Sequence, residues 1–210
     1  IAAGKTLLYR EPPHYITLGK ELPAKALDEI LTDHAEVFTE LKEYYKQTSE
    51  SETTKISFYE DTYSLYNLYR FAHYYEEAYG KYIWLKSGAS LVIEHTEAMT
   101  VIDVNTGSVL KKKKQEDTLF YQINREAAKE IARQLRLRNI SGIIMIDFIN
   151  MKDTAQKEKL LSLLDSECKK DRVHCNVIDM TALNLVEMTR SKVRKPLHEQ
   201  IRSCMKNNRS

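Results

Sequence analysis

The chain has 210 residues, 42% of them hydrophobic and 30% charged, with only 6 Gly and 4 Pro. It is long enough to bury a core and does not have the composition of a disordered, collagen-like or low-complexity protein. A formal net charge of +2 excludes reading nucleic-acid binding from bulk basicity, so any such signal has to come from how the charges are grouped. Three cysteines, Cys168, Cys175 and Cys204, make no C-x-x-C pair and leave an odd count, which favours a reducing compartment over a disulfide framework. No apolar run approaches the roughly 18–20 residues of a membrane span and no signal peptide opens the chain, so the expected location is the cytoplasm. The first residue is Ile1 rather than Met, which points to a piece of something longer. "AGKT" at residues 3–6 lacks the upstream glycine and the strand of a phosphate-binding loop and is set aside.

Residues 1–86 hold most of the 13 tyrosines. In "AKALDEILTDHAEVFTELKEYYKQ" (24–47), Val37, Phe38, Leu41 and Tyr45 recur at three- and four-residue steps and predict a helix from about His34. The preceding "LDEILTD" is either the start of that helix or a short strand ended by Asp33 as the helix cap. "QTSESETT" (47–54) reads as an exposed loop and "KISFYE" (55–60) as a strand. "SLYNLYRFAHYYEEAYG" (64–80) predicts one helix closed by Gly80, its tyrosines read as packing and surface groups rather than a base-stacking platform.

From residue 81 the character changes. "KYIWLKSGASLVIEHTEAMTVIDVNTG" (81–107) breaks short apolar runs with turn residues, the signature of an antiparallel meander. The polar "KKKKQED" (111–117) leads into a helix of about twenty residues, with Leu119, Phe120, Ile123, Ala127, Ile131 and Leu135 on one stripe. "SGIIMIDF" (141–148) is a continuous apolar run, expected as a strand buried on both faces. "DTAQKEKLLSLLDSECKK" (153–170) is an amphipathic helix capped by Asp153, followed by strands in "RVHCNVIDM" (172–180) and "NLVEMTR" (184–190). The order predicts an α/β fold, a mixed sheet flanked by helices.

Two strands carry a carboxylate where their apolar run ends. Alternation puts Met99, Val101, Asp103 and Asn105 on one face, and Ile143, Met145 and Asp147 on one face of the second strand. A carboxylate buried there without a partner costs several kcal/mol, so it needs a cation, donors or water. Two such edges side by side make an all-oxygen cage suited to magnesium or manganese. On the residues alone the alternative stays open, because aspartates at strand ends are also common turn-formers and caps.

Across residues 86–194, "SGASLVIEHTEAMTVIDVNTG", "REAAKEIARQLRLRNISGIIMIDFINM" and "NLVEMTR" resemble, in order, the catalytic core of the RNase E/G family of bacterial endoribonucleases. "ALDEILTDHAEVFTELKEYY" and "KISFYED" are similar to the family's RNase H-like subdomain. The resemblance implies a partial RNase H-like subdomain over residues 1–86, a DNase I-like catalytic subdomain over 87–194, a C-terminal linker over 195–210, and a strand at "DEILTD". Asp103 and Asp147 match the aspartates that hold the family's catalytic Mg2+, with Mn2+ as a substitute, and Asn105 matches the polar residue that assists them. The implied activity is hydrolysis of single-stranded RNA to 5′-phosphate and 3′-hydroxyl ends, in RNA processing or decay.

Within that reading Lys111, Lys112, Lys113 and Lys114 become candidate contacts to the RNA backbone, with a solvated loop as the alternative. Arg133, Arg136 and Arg138 either bind phosphate or cap the carbonyl end of their helix. His95 and His174 have no metal-ligand spacing and read as structural. Three departures from the family are visible. Asn150 stands where the family usually has aspartate. Cys204 lacks the second cysteine of the family's zinc link, which argues against structural zinc and a zinc-linked dimer while leaving a homo-oligomer open. The family's oligonucleotide-binding barrel and 5′-end sensor, N-terminal in the family, are not recognisable. A non-catalytic RNA-binding or scaffold module of the same fold, and a nuclease acting on DNA, are therefore the competing functions.

Overall fold

The computed structural model describes residues 13–21, 27–47, 54–107 and 116–200. The chain divides into two compact units, residues 1–72 and 73–210. "AGKT", most of the expected loop at 47–54, Lys111–Lys114 and Cys204 lie outside the described residues.

In the first unit, α1 (His14–Glu21) precedes β1 (Glu29–Thr32), α2 (Ala35–Lys46) and β2 (Lys55–Phe58). β1 and β2 pair in parallel with Ile30 opposite Ile56, and Leu41 and Tyr45 of α2 bury with Ile16 as their core. "LDEILTD" therefore contains a strand. The residue that caps α2 is His34 rather than Asp33, and it caps through backbone alone; its N–H is taken by Thr32 Oγ1 at 3.2 Å. The helix expected over 64–80 is two helices, α3 (Leu65–Leu68) and α4 (Phe71–Tyr79). Arg70, at φ 53°, lies in the left-handed region and ends the first ladder.

The second unit is built on one six-stranded sheet. Its strands are β3 (Tyr82–Trp84), β4 (Ser90–His95), β5 (Met99–Asn105), β6 (Gly142–Asp147), β7 (Cys175–Met180) and β8 (Leu185–Arg190), in the spatial order β3-β4-β5-β6-β8-β7. Only β5 and β6 run parallel; every other neighbouring pair is antiparallel. A parallel pair needs a crossover, and α5 (Glu116–Leu137) supplies it. α6 (Thr154–Cys168) follows β6, with Asp153 Oδ1 accepting from the Ala155 N–H at 2.9 Å as its cap.

Helices α5 and α6 pack against each other and against one face of this sheet. Ile123, Ala127, Ile131 and Leu135 of α5 and Leu160 and Leu164 of α6 form a single core with Leu91, Ile102, Ile144, Ile146, Val186 and Met188. The expectation that β6 is buried on both faces is corrected by this layering: Ile144 and Ile146 are 0% exposed, whereas Ile143, on the face without helices, is 49% exposed.

α5 ends in a Schellman arrangement, with the Asn139 N–H bonded to the Arg136 carbonyl and the Ile140 N–H to the Leu135 carbonyl. Asn139 supplies the left-handed residue this geometry requires, at φ 48°. Its side chain and the Ile140 carbonyl accept from Arg190 Nη1 at 2.8 and 2.9 Å. Arg190 Nε is ion-paired with Asp171 Oδ2 at 2.9 Å, the two side chains 3% and 7% exposed. Removing one partner of a buried pair strands the other. Asp171→Ala is accordingly expected to lower unfolding free energy by about 3–5 kcal/mol, measured by urea denaturation; a loss below about 1 kcal/mol would show that Arg190 is held by Asn139 and Ile140 alone.

Candidate metal centre

The face of the sheet opposite the helices carries the candidate residues. Register places Asp103 of β5 directly opposite Asp147 of β6. Adjacent strands are spaced by about 4.8 Å, and residues in register present their side chains to the same face. Asp103 is also opposite Val92 of β4, and Asp147 opposite Leu185 of β8. The row across the sheet thus reads Val92, Asp103, Asp147, Leu185, an acidic pair between two apolar side chains. One step down, Val101 and Met145 lie side by side beneath it.

Asn105 lies on the same face, two residues beyond Asp103, and its Nδ2 donates to Asp103 Oδ2 at 2.6 Å. This fixes the orientation of one carboxylate. The Asp147 carboxylate has no hydrogen bond from any described residue. Burial, and next the charge of Asp103, raise its pKa above the usual carboxylate value. Both effects are ones that a cation between the carboxylates would relieve. The pair sits at the carboxyl ends of the two parallel strands, the edge at which open α/β sheets bind ligands. Among the described residues no group of three or more His, Cys, Asp or Glu converges on a metal. The available donor set is two carboxylates and an amide, which fits an ion that keeps several waters, as magnesium does.

The supporting contacts come from residues the sequence reading passed over. Asn124 of α5 is fully buried, and its amide clamps the backbone of Ile149, two residues past Asp147: Nδ2 donates to the Ile149 carbonyl at 2.7 Å and Oδ1 accepts from its N–H at 3.0 Å. Glu126, two residues on, accepts from the N–H groups of Lys86 and Ser87 at 2.7 and 3.3 Å, holding the turn before β4. Gly107, just past Asn105, has φ +56°, and a Cβ there would lie 2.6 Å from the Gly88 carbonyl. The segment leaving β5 is seated on that same turn. A polar residue inside the apolar stripe, one helical turn before Ala127 and Ala128, was the available signal for Asn124.

The other candidates lie elsewhere. Arg133 Nη1 is bonded to Glu77 at 2.7 Å and to Glu130 at 2.8 Å. Glu77 raises the pKa of Arg133, which in turn lowers that of Glu77. Arg136 donates to the Glu167 carbonyl at 3.2 Å, tying α5 to the end of α6. Arg138 is 4% exposed, bonded to Gln134 and to the Glu77 carbonyl. All three stand at the end of α5 that leads into β6, a strand length away from Asp147. The structure does not bring them to the carboxylate pair. Asn150 is exposed in the loop after β6.

The ribonuclease E/G family model matches residues 2–193. The chain belongs to this family. It is 37% identical over 193 residues to "Ribonuclease G" of Haemophilus influenzae, covering 92% of this chain and 39% of that protein. To "Ribonuclease G" of Escherichia coli strain K12 it is 38% identical over 171 residues, 81% of this chain and 35% of that protein. To "Ribonuclease E" of a Nostoc species it is 32% identical over 196 residues, 92% and 28% respectively. The chain thus spans roughly a third of the length of these relatives.

Two outcomes follow from the geometry. Removing Asp147's charge relieves both burial and repulsion, so in chelator Asp147→Asn is expected to raise Tm by about 1–3 °C in a thermal melt; a fall in Tm would mean the carboxylate has a stabilising partner. Asn124→Ala leaves the Ile149 backbone unpaired, and a loss of about 2–3 kcal/mol is expected by chemical denaturation.

Proposed function

We propose that this chain is the catalytic portion of a magnesium-dependent endoribonuclease that cuts single-stranded RNA and leaves 5′-phosphate and 3′-hydroxyl ends. The observation that carries the reading is the opposition of Asp103 and Asp147 across the parallel strand pair of the six-stranded sheet, in a member of the ribonuclease E/G family. Asp103 and Asp147 would hold the cation, Mg2+ or in its place Mn2+. Bound there, the ion supplies a water of lowered pKa and positive charge against the developing phosphorane.

The chain's own residues do the rest. Asn105 keeps the Asp103 carboxylate in one orientation, so the site is set before substrate arrives. Asn124, through Ile149, holds the segment after Asp147 and with it the second carboxylate. The apolar Val92 and Leu185 flank the pair on either side and offer it no competing ligand. α6 begins just beyond β6, and its amino end favours a phosphate brought to this edge. Lys111–Lys114, which follow β5 in sequence, would contact the RNA backbone as point charges. On this reading the work belongs to RNA processing or decay in the cytoplasm, and no described helix is long and apolar enough to cross a membrane.

Incubation of 5′-labelled single-stranded RNA and a matched DNA with the protein tests this. RNA cleavage should require magnesium, stop in chelator, and fall by at least about 10²-fold in Asp103→Asn and in Asp147→Asn. Cleavage without a divalent cation, or surviving both substitutions, would overturn the mechanism. RNA binding without cleavage would favour the scaffold module, and preference for DNA would reassign the substrate.

A further inference from the structure

At the other end of the second unit, away from the carboxylates, a cavity of about 370 Å³ is lined by Ala78, Tyr79, Lys81, Ile93, His95 and Arg138, with Glu94 and His198 completing it. We propose that it binds a phosphate-bearing small molecule of mononucleotide size, with Arg138 at the floor and Lys81 at the rim as the phosphate-binding groups. This site is separate from the metal centre and does not depend on the activity proposed above.

The argument begins with Arg138. Its side chain is buried, and desolvation pushes its pKa down despite the nearby charges of Glu77 and Glu130. It nevertheless touches no carboxylate. Nε donates to the neutral Gln134 Oε1 at 2.7 Å and Nη2 to the Glu77 carbonyl at 2.9 Å. The two carboxylates that would neutralise it are occupied elsewhere: Glu77 binds Arg133, and Glu130 accepts from Arg133 and from Gln134 Nε2. Nη1 has no acceptor among the described residues. A buried guanidinium with a donor to spare and no contacting counterion has the chemistry of an oxyanion site.

The walls suit the same ligand. His95 and His198 stack with ring centroids 3.9 Å apart and planes at 16°, a flat imidazole wall beside the guanidinium. His95 Nδ1 is engaged with Thr100 Oγ1 at 3.0 Å, which fixes that ring. Lys81 is ion-paired with Glu94 at the rim, both half exposed, and the ammonium retains further N–H donors for a phosphate. Tyr79, 55% exposed, offers an aromatic face at the mouth on which a base can lie. The volume falls in the usual range for small-molecule sites.

Titration calorimetry on the whole chain in chelator, with adenosine 5′-monophosphate, inorganic phosphate and adenosine, tests the proposal. Saturable binding is expected for the nucleotide, weaker binding for phosphate and none for adenosine. Lys81→Ala and Arg138→Lys should each weaken nucleotide binding by about tenfold or more, the loss of one charged hydrogen bond. Asp103→Asn should leave it unchanged. The nucleotide should also shift the imidazole proton resonances of His95 and His198 in NMR spectra. Equal binding of adenosine, no saturable binding of the nucleotide, or affinity unmoved by Lys81→Ala would overturn it, as would loss of binding in Asp103→Asn, which would put the nucleotide at the carboxylate pair. If Arg138→Lys fails to fold by circular dichroism, the half-exposed Lys81 decides the matter, since its truncation leaves the core untouched.

Discussion

The hydrogen-bonded ladder between β5 and β6 is the constraint from which the candidate centre follows. Strand side chains alternate, so a slip of one residue would turn Asp147 into the helix-facing core and Ile146 out of it. Ile102, Val104, Ile144 and Ile146, all nearly inaccessible, make that slip prohibitive. Hydrophobic burial on one face of the sheet thus sets the separation of two like charges on the other. The repulsion between Asp103 and Asp147 is small beside the core that enforces it, and this is how a fold can hold an arrangement that two free carboxylates would avoid.

Helix α5 carries a second layer of the same constraint. Its apolar stripe covers the sheet, while the polar residues interrupting that stripe reach loops on either side. Asn124 grips the backbone just after Asp147, and Glu126 grips the turn on which Gly107 rests. The helix that makes the parallel pairing possible therefore also fixes both chain segments next to the carboxylates. None of these contacts involves a reacting group, yet each narrows where one can be.

Alternation and helical spacing made a large part of this visible in the sequence. β4, β5, β8, α2, α5 and α6 follow from local periodicity, and so does the common face of Asp103 and Asn105. The break at Arg70 was hidden because a left-handed turn without glycine has no compositional mark. The open face of β6 was hidden for another reason: an apolar run does not say whether one or two layers cover it, and Ile143 shows that only one does. That Asp103 and Asp147 are opposite one another needed the strand order, and the family resemblance, rather than composition or spacing, singled them out beforehand. Linear spacing cannot show what Arg133, Arg136 and Arg138 meet: Glu77 arrives from α4 to engage Arg133 and Arg138, and the Glu167 carbonyl from α6 to engage Arg136.

The fate of those arginines bears on how charge is arranged along the sheet. A net charge near zero conceals a separation of like groups: carboxylates gather where β5 and β6 end, and guanidinium groups where α5 ends and β6 begins. The helix field favours this polarity, since cations are stabilised at a carbonyl end and anions at an amino end. Covalent continuity makes it mechanical as well. Over 22 residues, about 33 Å at 1.5 Å per residue, α5 anchors the acidic end through Asn124 and Glu126 and the basic end through Gln134 and Arg138. Its middle turns, Ala127, Ala128 and Ile131, are wholly buried. A volume change there would disturb the helix against the sheet and so shift both ends together, whereas a change at Asn124 or Gln134 would disturb only one.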